Sequence, residues 1–174
     1  MDSMTRIMSF NVNGIRARLH QIEKVLEQHK PDILGLQEIK VSDEEFPVEA
    51  ITALGYNVDF FGQKGHYGVA LLSKVKATAV FRGFPSDDED AQRRMIHGKY
   101  LLNEKILHVI NGYFPQGESR KHPTKFPAKE KYYSDLTHYI SDAFTASDNV
   151  VVMGDMNIAA TDADVGIKPE NAKR

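Results

Sequence analysis

The spacing of hydrophobic and polar positions changes once along this chain, near Tyr56. Before that point, short apolar runs alternate with segments whose apolar residues recur at helical spacing, which is typical of strands followed by helices. The elements expected here are a strand at 5–10, a helix at 16–28, a buried strand at 32–37 and a short helix at 47–54. This alternation predicts the α/β class.

After Tyr56 the pattern consists of short apolar segments separated by glycine, proline or polar turns. The strands expected here lie at 58–61, 69–73, 77–81, 95–102 and 105–113. Neighbouring strands joined by short turns favour antiparallel pairing, so we expect a mixed sheet. A helix expected at 128–144 then leads into a last apolar strand that starts at Val150.

The composition is that of a globular protein, with 174 residues, 41% of them hydrophobic and 26% charged. We expect a single domain over 1–174, in which residues 1–4 are an extension because Met4 is a second possible start. The chain has no cysteine, which excludes disulfides and thiolate zinc sites. No apolar stretch is long enough to cross a bilayer, and the first residues lack a secretory signal, so we expect a cytoplasmic protein without membrane contact.

Oxygen-bearing side chains follow three of the expected strands. Asn11 and Glu38 come directly after the first two strands, while Asp155 and Asn157 stand on the turn after the last one. In α/β proteins the carboxyl ends of strands commonly bind ligands, and Mg²⁺ prefers hard oxygen ligands of this kind. Taken singly, each residue is more typical of a turn or a cap, so spacing alone leaves both interpretations open.

The segment 111–117, at the end of the apolar strand run 106–110, combines amides, glycines and the phenol of Tyr113. A phenol at a strand end is suited to a hydrogen bond with a phosphate oxygen. The alternative is a tyrosine with a buried ring and a solvated hydroxyl. Positive charge is concentrated at Arg93-Arg94 and along 120–131. These residues either bind phosphate or are ordinary surface charge, and the sequence leaves both interpretations open. The net charge of −2 provides no overall attraction to nucleic acid.

Six segments occur in an order that resembles the exonuclease III-type apurinic/apyrimidinic endonucleases of the endonuclease/exonuclease/phosphatase superfamily. They are 9–14, 36–40, 62–72, 83–94, 111–129 and 154–157, and the resemblance runs from about Thr5 to the last residue. It implies a four-layer α/β sandwich. It also implies a DNA-repair phosphodiesterase that uses Mg²⁺, with Mn²⁺ as a substitute, on double-stranded DNA with abasic sites or 3′ ends.

The resemblance assigns roles by position. Asn11 and Glu38 would help bind the metal, and Tyr113 would contact the phosphate or activate chemistry at it. Asp155 orients or deprotonates the attacking water and Asn157 holds a phosphate oxygen, both also counting as metal contacts. The candidates for binding DNA or phosphate are Asn111, Gln116, Arg93, Arg120 and Lys125. Asn13 stands where some relatives carry an aspartate, so one or two metal ions remain possible.

The family's C-terminal Ser-Asp-His motif, an additional Asp before it and the rest of its sheet are absent from these 174 residues. We therefore expect an N-terminal portion of the sandwich with weak or no activity by itself. The complete protein is expected to be a monomer, and a truncated one to associate through exposed sheet. Two alternatives stay open, namely a superfamily phosphodiesterase acting on RNA or phospholipid, and a non-catalytic fragment that needs a partner chain.

Overall fold

A computed structural model describes residues 4–164, so the extension expected at the N-terminus lies almost wholly outside the described residues. The first sheet has the strand order β1-β2-β4-β3. Its strands are β1 (Ile7–Asn11), β2 (Ile33–Gln37), β3 (Asn57–Phe61) and β4 (Val69–Ser73). β1 and β2 are parallel, and the other two pairings are antiparallel.

The second sheet repeats this arrangement in the order β5-β6-β7-β8. Its strands are β5 (Ala79–Arg82), β6 (Met95–Leu102), β7 (Lys105–Tyr113) and β8 (Val150–Asp155). Here β7 and β8 are parallel, and the other pairings are antiparallel. The expected mixed pairing is therefore found in two sheets.

Three hydrophobic clusters separate four layers. Because side chains alternate across a strand, Leu34 on β2 packs under the helices α1 (Ile15–His29) and α2 (Val48–Thr52), while its neighbour Ile33 faces the other sheet. A third cluster joins the outer face of the second sheet to α3 (Lys125–Ala143). The expected four-layer α/β sandwich is confirmed.

The helix α3 begins at Lys125, three residues before the expected start at Ala128. Pro127 falls in the first turn, where a missing N–H costs no helical hydrogen bond, so it does not delay the helix. The ring of His122 also accepts a hydrogen bond from the Lys125 backbone N–H at 3.0 Å. The helix therefore begins earlier than the sequence pattern predicts.

The two sheets approach closely at Gly35 in the middle of β2. A Cβ atom there would lie 2.5 Å from Met153 Cε and 2.8 Å from Asn111 Cγ, both on the second sheet. Since real Cβ contacts are not that short, glycine is what allows the two inner faces to meet.

The described part of the chain leaves strand edges open, and its inner sheet faces cover each other. Within residues 4–164, β1 and β8 each pair on one side only, and their side chains are mostly half-buried. The inner faces form one buried cluster, so the exposed inner face expected of an unfinished sandwich is not found there. None of the helices described is long and apolar enough to span a membrane.

Candidate functional site

The carboxyl ends of the two parallel strand pairs meet at one edge of the sandwich. β1 ends at Asn11 and β2 leads into Glu38, while β7 ends at Tyr113 and β8 ends at Asp155. β1 and β8 contact each other across the two sheets. The topology therefore brings side chains from distant parts of the sequence to one place.

Asn11 connects the two carboxylates of this site. Its Nδ2 donates hydrogen bonds to Glu38 Oε1 and to Asp155 Oδ2, each at 2.8 Å. Its Oδ1 accepts the backbone N–H of Asn13 at 3.0 Å. One amide group thus holds a carboxylate from each sheet.

The turn after β8 is fixed by its own hydrogen bonds. The Asn157 N–H donates to Asp155 Oδ1 at 3.2 Å, and Asn157 Nδ2 donates to the Phe114 carbonyl at 2.9 Å. Gly154 has φ 142°, and a Cβ atom there would lie 1.9 Å from the carbonyl oxygen of Gly112. Glycine is therefore required immediately before Asp155.

Glu38 is a carboxylate at neutral pH. Burial alone would raise its pKa, but hydrogen bonds from Lys40, Asn11 and Tyr113 and the charge of Lys40 outweigh burial, so the pKa lies below its usual value. Lys40 Nζ lies 2.8 Å from Glu38 Oε2. Lys40 also donates to Asn13 Oδ1, so this lysine ties two site loops together.

Tyr113 is a neutral hydrogen-bond donor. Burial, the hydrogen bond to Glu38 and the negative charge of Glu38 raise the pKa of Tyr113 to about 12, although nearby Arg94 acts in the opposite direction. The Arg94 guanidinium lies 4.6 Å from the centre of the Tyr113 ring and 4.1 Å from that of Tyr67. Burial lowers the pKa of Arg94, which still leaves a cation at neutral pH.

The residues present fit a hard divalent cation. Glu38 and Asp155 supply carboxylate oxygens, and rotation of the Asn11 amide would add a third oxygen. Mg²⁺ is typically held by one or two carboxylates while it keeps several waters or binds substrate phosphates. No cluster of three or more histidine, cysteine, aspartate or glutamate side chains able to hold a metal ion occurs within residues 4–164. The donor set thus suits an open site for a hard divalent cation and not a closed cage.

Asn111 does not face this site, which corrects its expected role in binding phosphate. Its side chain is fully buried between the sheets. Its Nδ2 donates to the Leu36 and Ala70 carbonyls at 2.9 Å, and its Oδ1 accepts Gln37 Nε2 at 2.6 Å. The strand β7 continues to Tyr113, so Asn111 belongs to the strand and not to the loop after it.

Two of the basic candidates are engaged within the protein. Arg93 Nη1 donates to Asp43 Oδ2 at 3.0 Å and to the Gly62 carbonyl at 2.6 Å, which ties two loops together. Lys125 pairs with Glu118. Gln116 and Arg120 are exposed on the segment that joins β7 to α3.

Four residues of the site region received no individual role from the sequence. They are Lys40, Tyr67, Arg94 and Lys129. Tyr67 and Lys40 have positive φ angles, 51° and 55°, which are uncommon for such side chains and typical of constrained functional loops. All four lie inside the motifs of the resemblance, but contacts between separate loops cannot be read from spacing.

Comparison with known proteins agrees with this geometry. The sequence model of the Endonuclease/Exonuclease/phosphatase family matches residues 8–174. Exodeoxyribonuclease III of Haemophilus influenzae is 56% identical over 169 residues, which cover 97% of this chain. This chain spans 63% of the length of that relative.

Solved structures give the same result. An AP endonuclease from Archaeoglobus fulgidus superposes with a TM-score of 0.83 at 36% identity, covering 96% of this chain and 62% of the other. The 3′ phosphatase NExo from Neisseria, in a structure with a product DNA hairpin, gives a TM-score of 0.82 at 35% identity and covers 92% and 60%. The expected resemblance to exonuclease III-type proteins is confirmed, and this chain belongs to the endonuclease/exonuclease/phosphatase family.

Proposed function

We propose that this chain is part of a DNA-repair phosphodiesterase of the exonuclease III type, which cleaves double-stranded DNA at abasic sites and removes nucleotides from 3′ ends with Mg²⁺ or Mn²⁺. The observation that carries this proposal is the contact of Asn11 with Glu38 and Asp155, 2.8 Å to each carboxylate. It is supported by the 56% identity to a protein named exodeoxyribonuclease III.

In this proposal Glu38, Asp155 and the Asn11 oxygen hold the cation, and Asn157 lies beside them. When bound, a divalent cation neutralises charge on the phosphoryl oxygens and orients the phosphate for in-line attack. The lowered pKa of Glu38 favours this role, because a ligand that is already ionised need not lose a proton.

The side chains of the protein would then position water and phosphate. Asp155 would orient the attacking water and accept its proton at a carboxylate oxygen. Tyr113, neutral below its pKa of about 12, would turn its single hydroxyl hydrogen from Glu38 to a phosphate oxygen on which charge develops. Asn157 has one amide hydrogen anchored on the Phe114 carbonyl and would offer the second to a phosphate oxygen.

DNA is the substrate best supported. The Haemophilus and Archaeoglobus relatives are named as nucleases that act on DNA, and the Neisseria structure contains a DNA hairpin. No observation on residues 4–164 favours RNA or a phospholipid. Gln116, Arg120 and Lys125 remain proposed DNA contacts, whereas Arg93 would need to leave Asp43 to act as one. The cytoplasmic location and the monomeric state stay predictions.

We also propose that the 174-residue chain by itself is weakly active or inactive. Within residues 4–164 no histidine is hydrogen-bonded to Asp155 or Asn157 that could share proton transfer at the attacking water. The hypothesis of a non-catalytic fragment therefore remains a second candidate for the isolated polypeptide.

A chimeric enzyme tests the main proposal independently of this second one. The matching part of Haemophilus influenzae exodeoxyribonuclease III is replaced by this chain, and incision of a duplex with an abasic-site analogue is measured with and without Mg²⁺. We expect Mg²⁺-dependent incision that is lost in Asp155→Asn. A folded chimera that does not incise DNA would overturn the proposal.

A further inference from the structure

Three side chains of α3 reach the loops that carry the site. Lys129 Nζ donates to the Asn157 carbonyl at 2.7 Å and approaches the Gln116 carbonyl at 3.4 Å. Tyr133 donates its hydroxyl to the Met156 carbonyl at 2.9 Å. Tyr132 donates to the Arg94 carbonyl at 3.1 Å. The helix thus holds three separate site segments by their backbone.

The helix geometry explains why these side chains act together. Positions 129, 132 and 133 are three and four residues apart, which places them on one face of α3. The stem of Lys129 passes closely over Gly117, where a Cβ atom would lie 2.9 Å from Lys129 Cδ. Gly117 therefore leaves the space through which the ammonium group reaches Asn157.

Lys131 shows that this contact is specific to position 129. Lys131 is two residues further along the same helix, largely exposed, and paired with Asp135 at 2.6 Å one turn away. Lys129 is half-buried and points into the site loops. One lysine of the basic segment 120–131 is therefore committed to the loop after β8, and its neighbour is ordinary surface charge.

The turn that Lys129 contacts has a constrained backbone. Asn157 has φ 49°, in the left-handed region, and its N–H closes back onto Asp155. The carbonyls of Met156 and Asn157 both accept hydrogen bonds from α3, so the helix holds the turn through its backbone. Loss of these bonds would release the turn without removing any group from the site itself.

We infer that Lys129 is a positioning residue, whose ammonium fixes the turn 154–157 and thereby the orientation of Asp155 and Asn157. The catalytic consequence rests on the proposed function, but the positioning itself does not. A bond from an ammonium group is stronger than a neutral one, which makes Lys129 the main contributor among the three side chains.

The test compares the full chain with Lys129→Met, which keeps the aliphatic stem, Lys129→Arg, which restores a donor, and Lys131→Met as the matched control. Amide hydrogen exchange is followed at Asn157 and at Phe114, whose N–H donates to the Asp155 carbonyl at 2.9 Å. We expect exchange to accelerate about tenfold or more in Lys129→Met, to return towards the original rate in Lys129→Arg and to be unchanged in Lys131→Met.

A second experiment measures kcat and KM of the chimeric enzyme, which report the catalytic consequence. There, Lys129→Met should lower kcat about tenfold with little change in KM, because the loop misplaces groups that act on the reacting phosphate. If Lys129→Met does not fold, Tyr133→Phe takes its place. This variant loses the hydrogen bond to the Met156 carbonyl, and hydrogen exchange at the same amides should accelerate. Unchanged exchange at Asn157 in the folded variant overturns the inference, whereas an inactive chimera overturns only the proposed function.

Discussion

At the scale of single residues, the site combines groups whose protonation states are set by their neighbours. Glu38 is kept ionised by Lys40, Asn11 and Tyr113, while Tyr113 is kept neutral by burial and by the same glutamate. These opposite shifts suit one group to bind a cation and the other to donate a hydrogen bond. Neither pKa shift can be predicted from the sequence, because each depends on contact between Glu38, which follows β2, and Tyr113 at the end of β7.

Replacing Tyr113 by phenylalanine tests its role as a donor. We expect kcat of the chimeric enzyme to fall by about a hundredfold, since a hydrogen bond to developing charge is lost. The pKa of Glu38, followed by NMR, should rise because one of its three donors is gone. Tyr56→Phe, which removes a hydroxyl bound to the distant Pro31 carbonyl, is the control. A Tyr113→Phe enzyme with full kcat would contradict the assignment.

At the scale of elements, the site depends on how the two sheets are joined. The parallel pairs β1–β2 and β7–β8 direct their carboxyl ends to the same edge. Asn111 fixes the sheets relative to each other, because its buried amide binds β7 to Gln37 and to the backbone of β2 and β4. The register of these sheets therefore sets the distance between Glu38 and Asp155.

Asn111→Ala should reduce stability. It removes three buried hydrogen bonds, one from Gln37 Nε2 and two to the Leu36 and Ala70 carbonyls, which costs about 2–4 kcal/mol. Urea unfolding measures this cost, with Asn149→Ala as a control that removes one exposed hydrogen bond to the Ile106 carbonyl and costs under about 1 kcal/mol. Native stability combined with weakened DNA binding would instead support the phosphate-binding role expected from the sequence.

The elements themselves followed from the sequence, because burial imposes a period of two on strands and 3.6 on helices. Leu19, Ile22 and Leu26 predict α1, and the runs at 33–37 and 69–73 predict two central strands. The start of α3 was missed because Pro127 is tolerated in a first turn. The division into two sheets came from the resemblance and not from periodicity, since strand pairing over long separations leaves no local pattern.

The residue types of the site were also predictable, whereas their contacts were not. Asn11, Glu38 and Asp155 carry side-chain oxygens at the ends of strands, which is a local property of the sequence. The burial of Asn111 and the bond from Lys129 to the Asn157 carbonyl depend on packing between segments that are far apart in sequence. The local sequence around a polar residue near the end of a strand is the same whether its side chain faces solvent or the neighbouring sheet.

At the scale of the whole molecule, stability should depend on pH through a buried histidine. His97 contacts Tyr139 at 2.7 Å and His108 at 2.9 Å beneath the end of α3. Burial and the neighbouring His108 and Lys99 lower the pKa of His97 to about 4, from an ordinary value of 6.5. The charge of Asp148 acts on His108 in the opposite direction and raises the pKa of that ring.

The sign of this effect follows from proton binding. Between pH 6.5 and about 4 the unfolded chain binds a proton that the folded chain excludes, so the free energy of unfolding should fall as the pH drops through this window. The loss amounts to about 3 kcal/mol at most. Urea unfolding across this range should show a shallower slope for His97→Gln, and an equal slope would contradict the assignment.

The most direct test of the central claim is titration of the chain with Mn²⁺, followed by the paramagnetic broadening of assigned NMR signals. We predict that the signals of Asn11, Glu38 and Asp155 broaden first and together, and that Glu38→Gln combined with Asp155→Asn abolishes this binding. Broadening that begins elsewhere, or that survives the double substitution, would show that the carboxyl ends of the two parallel strand pairs do not form a common cation site.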